Sequence, residues 1–461
     1  MGSAVALCGG VVLHAINIYI ATTILPSVVK DIGGLAFYAW NTTLFVVASI
    51  MGSALSGRLL RLAGPRGAYL VATLIFMLGS LMCALAPSMP LLLLGRTIQG
   101  FGGGFLFALS YTLIHLVFHE SLWPRAMALV SAMWGVATLI GPAVGGIFAE
   151  LNVWRYAFGM LVPVGLMFVL LVWHVMPARQ ATVKPVSPLP MPQLLLLAGA
   201  ALVVSAGSLS SRGAINLGGF VVAVLMLLLL LRQESRSPVR LLPRGSLSPS
   251  SPLFGLYLTM SLLMMGIGCE IFIPYFLQTL HGQTPLAAGY ITAAVAAGWT
   301  AAEVWSASWH ARGARFAIIA GPVLMAIGLL MLLFHLPDAS NGGSPLLIGI
   351  VCGLALIGFG IGFGWPHLLT HILLSAESID QDTAGASITT VQSFAAAMGA
   401  ALAGTIANLA GLNVPGGVAG ASHAAFWLLL LSILAPLMAI VTAVRASSSV
   451  AVQTAAVKIH Q

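Results

Sequence analysis

Uncharged apolar runs of about 20 residues recur from one end of this chain to the other, and nothing constrains its fold more. A helix that crosses the hydrocarbon core of a bilayer needs a run of that length. Measured against it, the sequence predicts fourteen spans, near residues 4–26, 34–56, 68–87, 89–118, 126–149, 156–176, 192–210, 214–231, 252–280, 285–308, 316–335, 345–373, 384–411 and 422–444. The breaks carry turn or charge signals such as AGPRG, ESLWPRA and LPDASNGGS. Charged residues make up only 6% of the 461 residues, where a soluble domain carries about a quarter. So few charges could not cover a soluble surface, which excludes a soluble enzyme, a nucleic-acid-binding domain and a disordered chain. No segment alternates in the manner of an outer-membrane barrel strand. The expected fold class is therefore an all-α polytopic membrane protein.

The net charge of +8 then speaks of orientation rather than of a nucleic-acid partner. With both termini in the cytoplasm, fourteen basic residues fall on the cytoplasmic side: Arg58, Arg61, Arg66, Arg125, Arg179, Lys184, Arg232, Arg236, Arg240, Arg244, Arg312, Arg315, Arg445 and Lys458. Only Lys30, Arg155 and Arg212 fall outside, and Arg96 lies within a span. An odd number of spans would scramble this bias. The first apolar run lacks a basic leader and a small-residue cleavage site, so it reads as a span and not a signal peptide. The expected location is a cell membrane, the inner membrane in a bacterium. Cys8, Cys83, Cys269 and Cys352 lie in apolar stretches without a CxxC pair and read as small buried hydrophobes.

The longest polar segment, RQESRSPVRLLPRGSLSPSSP at 232–252, has the composition of a linker, and residues 178–192 resemble it. Together they bracket spans 7 and 8 as an inserted hairpin. Three parts follow: a six-helix bundle over 1–177, a linker and hairpin over 178–251, and a second six-helix bundle over 252–461. The two bundles share sequence. GRTIQGFGGGF at 95–105 and GLALIGFGIGF at 353–363 agree at six of eleven positions, at an offset of 258. Gly64-Pro65-Arg66 and Gly313-Ala314-Arg315 form a second match at an offset of 249. Paired related halves around a central site are a transporter architecture.

These motifs resemble the major facilitator superfamily, and within it the fourteen-span drug:proton antiporters of multidrug efflux type. The loop GRLLRLAGPRG at 57–67, with Gly57, Arg61, Gly64 and Arg66, is similar to the superfamily's signature loop. LLLLGRTIQGFGGG is similar to its span 4 motif through Arg96, Gln99 and Gly100. GVATLIGPAVGG at 135–146 resembles the antiporter motif through Gly135, Gly141, Pro142, Gly145 and Gly146, and that motif is expected to bend span 5 at the bundle interface. The stretches ILPSVVKDIGG, NVWRYAF and FLQTLHGQTPLAAGY also resemble fourteen-span members, so the likeness covers nearly the whole chain. Two departures stand out: Arg61 replaces the usual Asp of the signature loop, and Asn17 replaces the usual span 1 Asp, a proton-coupling position.

Ionisable groups inside spans are costly and are functional candidates. Of the ten acidic residues, only Glu270 and Glu303 fall within spans. Glu270, about two-thirds along span 9, suits a group that binds and releases a proton from alternate sides, or one that holds a cationic substrate. Glu303 lies near the cytoplasmic end of span 10, where pairing with Arg312 or Arg315 at a gate is the plain expectation. Arg96 cannot shed its charge and must find an acceptor; the resemblance gives its position a part in proton transfer, and an anionic group of a substrate is the other use. His14 lies one turn before Asn17, so both share a face, and it could stand in for the missing acid. His367 and His371 share a face as well, but two ligands without a carboxylate make no metal site. Trp134, just before the span 5 motif, is the leading cavity aromatic.

No P-loop, GxSxG or HExxH motif is present, so the chain reads as neither an enzyme nor an ATP-driven pump, and no cofactor or metal is expected. The leading expectation is a secondary active transporter that exports amphipathic small molecules or drugs by proton antiport with alternating access. Its partners would be a small-molecule substrate, protons and the lipid bilayer, with no nucleic acid, and it would work as a monomer. The alternative is a proton-coupled uptake carrier for a metabolite, vitamin or siderophore-like compound. A channel or a membrane sensor is a third reading, which counterflow would exclude.

Overall fold

Backbone N–H and C=O groups inside hydrocarbon must bond within their own segment, and helices do this. The computed structural model describes residues 2–119, 122–178, 188–210, 212–340 and 344–459. Among them there is no β-strand. The principal helices are α1 Gly2–Ile32, α2 Trp40–Ala84, α3 Met89–Thr112, α4 Trp123–Glu150, α5 Leu161–Val175, α6 Met191–Gly207, α7 Gly213–Arg236, α8 Pro252–Gly266, α9 Ile273–His281, α10 Pro285–Ser306, α11 Ala311–His335, α12 Ser344–Ser375, α13 Gln381–Leu409, α14 Gly417–Ser432 and α15 Leu434–Ile459. Arg179, Lys184 and Glu120 lie outside the described residues.

Eleven helical stretches among the described residues are long and apolar enough to cross a membrane, against the fourteen expected from the sequence. Three local causes account for the difference. Residues 35–84 form one helical stretch of 50 residues, where two spans were expected. A helix of that length would run about 75 Å, far beyond a hydrocarbon core of about 30 Å. It is not straight: Gly64 takes φ 70° and ψ 175° inside α2, immediately before Pro65. Only glycine tolerates that backbone region, and proline cannot continue the hydrogen-bond ladder. Helix α6 is apolar but has only 17 residues. Helix α10 has 22 residues but is built largely from Ala, Gly and Thr rather than Leu.

The chain divides into two compact units, Met1–Leu189 with Gln283–Ala293, and Pro190–Gly282 with Ala294–Gln461. In the first unit, α3 lies along α2 and α1, with Phe45, Tyr69, Phe76 and Phe158 fully buried between the helices. A polar clasp joins three of its connections. Arg155 Nη1 and Trp154 Nε1 both donate to Asp31 Oδ2, at 2.5 and 3.1 Å, and Arg155 Nη2 donates to the Ala86 carbonyl at 3.1 Å. In the second unit, Tyr257 of α8 bonds Ser387 of α13, and Thr259 bonds Thr442 of α15, at 2.5 and 2.7 Å. Cys83 and Cys269 are buried as expected, but Cys352 is exposed on α12.

The sequence repeat reappears as a packing repeat. A side chain at Gly100 would strike the Phe45 backbone, at Gly104 that of Ser49, and at Gly102 that of Phe76. In the second unit Gly358 meets Val295, Gly362 meets Trp299 and Gly360 meets Met325. The glycines are offset by 258, and their partners by 249 or 250. Those partner offsets agree with the second sequence match, so both units seat the same neighbouring backbones in the same notches of α3 and α12. Small residues at such spacing let helices approach closely without a hydrophobic driving force.

Candidate functional site

The first unit buries a cation without an acid. Arg96 on α3 is only 2% exposed. Its Nη1 donates to Gln99 Oε1 at 2.5 Å, one turn along the same face, and its Nε donates to the Asn41 carbonyl at 3.4 Å. Its guanidinium lies 4.2 Å over the Phe45 ring, a cation–π contact. Gln99 Nε2 donates to Ser80 Oγ at 2.7 Å, and Ser80 donates to the Phe76 carbonyl at 2.8 Å. Glycine makes this approach possible, because a side chain at Gly79 would strike Gln99 and one at Gly95 would strike Cys83. Among the described residues no carboxylate pairs with Arg96. A buried charge ordinarily takes an ion-pair partner, so this one is held by dipoles and a ring alone.

Phe45 links that cation to α1. His14 stacks on Phe45 at 5.4 Å between ring centroids, lies 5.3 Å from Phe107 and meets the edge of Trp134 at 6.1 Å. Its Nδ1 has no hydrogen-bond partner and sits against Gly103, where a side chain would displace it. Asn17, one turn on, is 0% exposed, and neither its amide oxygen nor its amide nitrogen meets a partner. The Asn41 side-chain oxygen is likewise unpartnered. Each such group costs about 1–3 kcal/mol relative to a satisfied one, so a cluster of them calls for a reason beyond packing. His14, Asn17, Arg96, Gln99 and Trp134, all singled out in the sequence, thus lie in one neighbourhood. Phe45, Phe107, Asn41 and Ser80 were not anticipated. Their helices carry no motif at those positions, and only the glycine notches of α3 determine which face of α2 turns inward.

Glu270 lies in the second unit, at a break in a span. Between α8 and α9 the chain runs as a 3₁₀ helix, Ile267–Phe272. Pro274 causes it locally. It has no N–H to give the Glu270 carbonyl, and Ile273 N–H takes that carbonyl instead, one residue early. Gly268 fits against the Gly399 backbone of α13, which holds the break in place. The Glu270 side chain is half-buried, and among the described residues it makes no hydrogen bond or ion pair. A 3₁₀ stretch inside a helix is where hinges and functional groups are often found.

Several of the remaining motif residues hold helices together. Side chains at Gly141 and Gly145 would strike Tyr19, Ile20 and Ile24 of α1, and one at Gly146 would strike Leu286 of α10. Gly135 has open space around it. The helix continues through Pro142. Around the bend in α2, Gly57 precedes Gly64 and Arg61 is exposed. Arg66 ties the bend to the end of α5: its Nε donates to the Met176 carbonyl at 2.9 Å, its backbone N–H donates to Pro177, and its guanidinium covers Trp173 at 5.2 Å. Glu303 is partly buried on α10, Arg312 and Arg315 are exposed on α11, and no ion pair joins Glu303 to Arg312 among the described residues. His367 Nε2 bonds the Ser306 carbonyl at 3.0 Å, so this ring is engaged by backbone.

The model of the Major Facilitator Superfamily matches residues 7–400. The chain belongs to that superfamily. A probable multidrug-efflux transporter of Mycobacterium tuberculosis is 40% identical over 422 residues, covering 89% of this chain and 88% of its own length. Multidrug resistance protein 3 of Bacillus subtilis is 22% identical, covering 86% of this chain and 77% of its own. Among solved structures, a bacterial homolog of the human lysosomal transporter Spinster, inward-facing and unoccupied, superposes with a TM-score of 0.67 at 12% identity, over 97% of this chain and 96% of its own. That likeness shows the fold. As a major facilitator, the chain is a multi-pass membrane transporter of small molecules and not an enzyme.

Proposed function

We propose that this major facilitator exports amphipathic small molecules, drugs among them, in exchange for protons. One observation carries the coupling: Glu270 is a carboxylate at a 3₁₀ break in an apolar span, without a hydrogen-bond or ion-pair partner among the described residues. A group so placed can take up and release a proton without first breaking a bond to the protein. The export direction is supported by the multidrug-efflux relative that matches the chain along nearly its whole length. Substrate recognition falls to the neighbourhood of His14, Asn17, Gln99 and Trp134, where aromatic faces adjoin unpartnered polar atoms. Arg96 sets the electrostatics of that neighbourhood. The signature-loop residues Gly57, Arg61, Gly64 and Arg66, with Glu303, Arg312 and Arg315, form the cytoplasmic gate, and the glycines around Pro142 let α4 slide on α1.

The proposed architecture is the fourteen-span one: bundles over 1–177 and 252–461, and an inserted hairpin within 178–251. Both termini lie in the cytoplasm, and the carrier works as a monomer in the bacterial inner membrane. The uptake reading rests on Arg96, which among the described residues pairs with no carboxylate and so is able to receive an anionic substrate. Direction separates the two. In inverted vesicles acidified inside, an exporter accumulates a lipophilic cation and alkalinises the lumen. Accumulation of an anionic metabolite that instead follows protons inward into right-side-out vesicles would establish the uptake reading.

A further inference from the structure

The α6–α7 hairpin takes no part in either polar cluster, yet it shapes a site of its own. At its connecting end the two helices close tightly. Gly207 lies beside Asn216, a side chain at Gly219 would come to 3.0 Å from the Val203 carbonyl, and Asn216 Nδ2 donates to the Ser210 and Arg212 carbonyls at 2.8 and 3.2 Å. Toward the other end the small residues give way to Leu and Met, and the helices leave a groove of about 540 Å³. Leu195, Leu196, Met226 and Leu229 wall it, and Arg232 and Arg236 stand at its mouth. The two arginines are one turn apart on the same face of α7, and both are exposed. Neither pairs with a carboxylate among the described residues. Glu234, which lies between them in the sequence, is engaged elsewhere. It is 3% exposed, and its Oε1 accepts from the Leu241 and Leu242 N–H groups, both at 2.7 Å.

We propose that this groove binds an anionic phospholipid, its phosphate between Arg232 and Arg236 and an acyl chain along Leu195, Met226 and Leu229. The pairing of an apolar channel with two uncompensated guanidiniums selects for that chemistry. A free phosphate would leave the apolar walls uncovered, and a zwitterionic lipid would bring its own cation to a mouth that is already positive. Guanidiniums bind phosphate through two parallel hydrogen bonds, and basic pockets between spans are recurrent anionic-lipid sites. The arginine distribution places the mouth at the cytoplasmic leaflet. The binding itself depends neither on that orientation nor on the direction of transport.

The test is native mass spectrometry of the full-length protein released from detergent, titrated with phosphatidylglycerol or with phosphatidylcholine of matched acyl chains. The wild type is expected to retain phosphatidylglycerol in preference to phosphatidylcholine. The double variant Arg232→Gln, Arg236→Gln is expected to weaken retention of phosphatidylglycerol by on the order of tenfold. Leu229→Trp, at a position already exposed, fills the groove and is expected to weaken it as well, while both variants keep the wild-type thermal midpoint. Equal retention of the two lipids overturns the proposal. So does undiminished binding by the double variant, or displacement of the lipid by inorganic phosphate at equal concentration.

Discussion

Asn17 is fully buried, and both of its polar side-chain atoms lack partners. If packing were its only task, a leucine of similar size would serve better, since it removes two unsatisfied groups. Asn17→Leu is therefore expected to leave the thermal midpoint unchanged or raised while substrate flux in proteoliposomes drops at least about tenfold. A stable variant with normal flux would make Asn17 a packing residue. Arg96→Lys keeps the charge but loses the planar fork that reaches Gln99 and the stack on Phe45. Flux is expected to fall by about tenfold or more with only modest destabilisation, because charge-assisted hydrogen bonds are worth about 1.5–3 kcal/mol. At this scale the sequence was informative wherever helical spacing alone decides. His14 and Asn17 were placed on a common face by their interval, and Arg96 and Gln99 were picked out together by their motif. It was silent on Phe45 and Phe107, which join those faces, because contacts between helices are set by backbone approach and not by spacing within one helix.

Elements bend where glycine and proline make them bend, and two bends here have separable roles. Gly64 occupies a backbone region that is nearly exclusive to glycine. Gly64→Ala is expected to cost about 1–3 kcal/mol and to lower the thermal midpoint, read by thermal unfolding in detergent. Pro274 withholds a hydrogen bond from the Glu270 carbonyl and so keeps residues 267–272 in the 3₁₀ form. Pro274→Ala lets the α-helical bond form. It is expected to hold or raise stability while depressing transport, and normal transport in that variant would dissociate the break from function. Three glycines of the antiporter motif, Gly141, Gly145 and Gly146, serve as contact surface, and Gly141→Leu, which forces a side chain into Tyr19, is expected to destabilise by about 1–3 kcal/mol.

At the level of the whole molecule, the apolar runs were legible in the sequence and the membrane fold followed from them. Their division into elements was less so. Hydropathy cannot tell a helix that bends at Gly64 from two that stop there, and an Ala-rich helix such as α10 reads weakly on any apolar scale. The internal repeat was visible in a few glycines of α3 and α12, and the offsets of their packing partners extend it to three more helices: α2 in the first unit, and α10 and α11 in the second. Orientation is open to a direct check. In a Cys-free background, Arg212→Cys is expected to react with a membrane-impermeant maleimide applied from outside, and Ser248→Cys only after permeabilisation. Reaction of both from the same side would contradict the inserted hairpin. The central claim is proton antiport through Glu270, and the most direct measurement is proton flux in proteoliposomes with an imposed pH gradient, wild type beside Glu270→Gln, on addition of lipophilic cations, neutral drugs and anionic metabolites in turn. Collapse of the gradient by a transported compound in wild type, but not in Glu270→Gln, is the expected result. Equal collapse in both would remove Glu270 from the coupling, and protons moving in the same direction as substrate would contradict antiport itself.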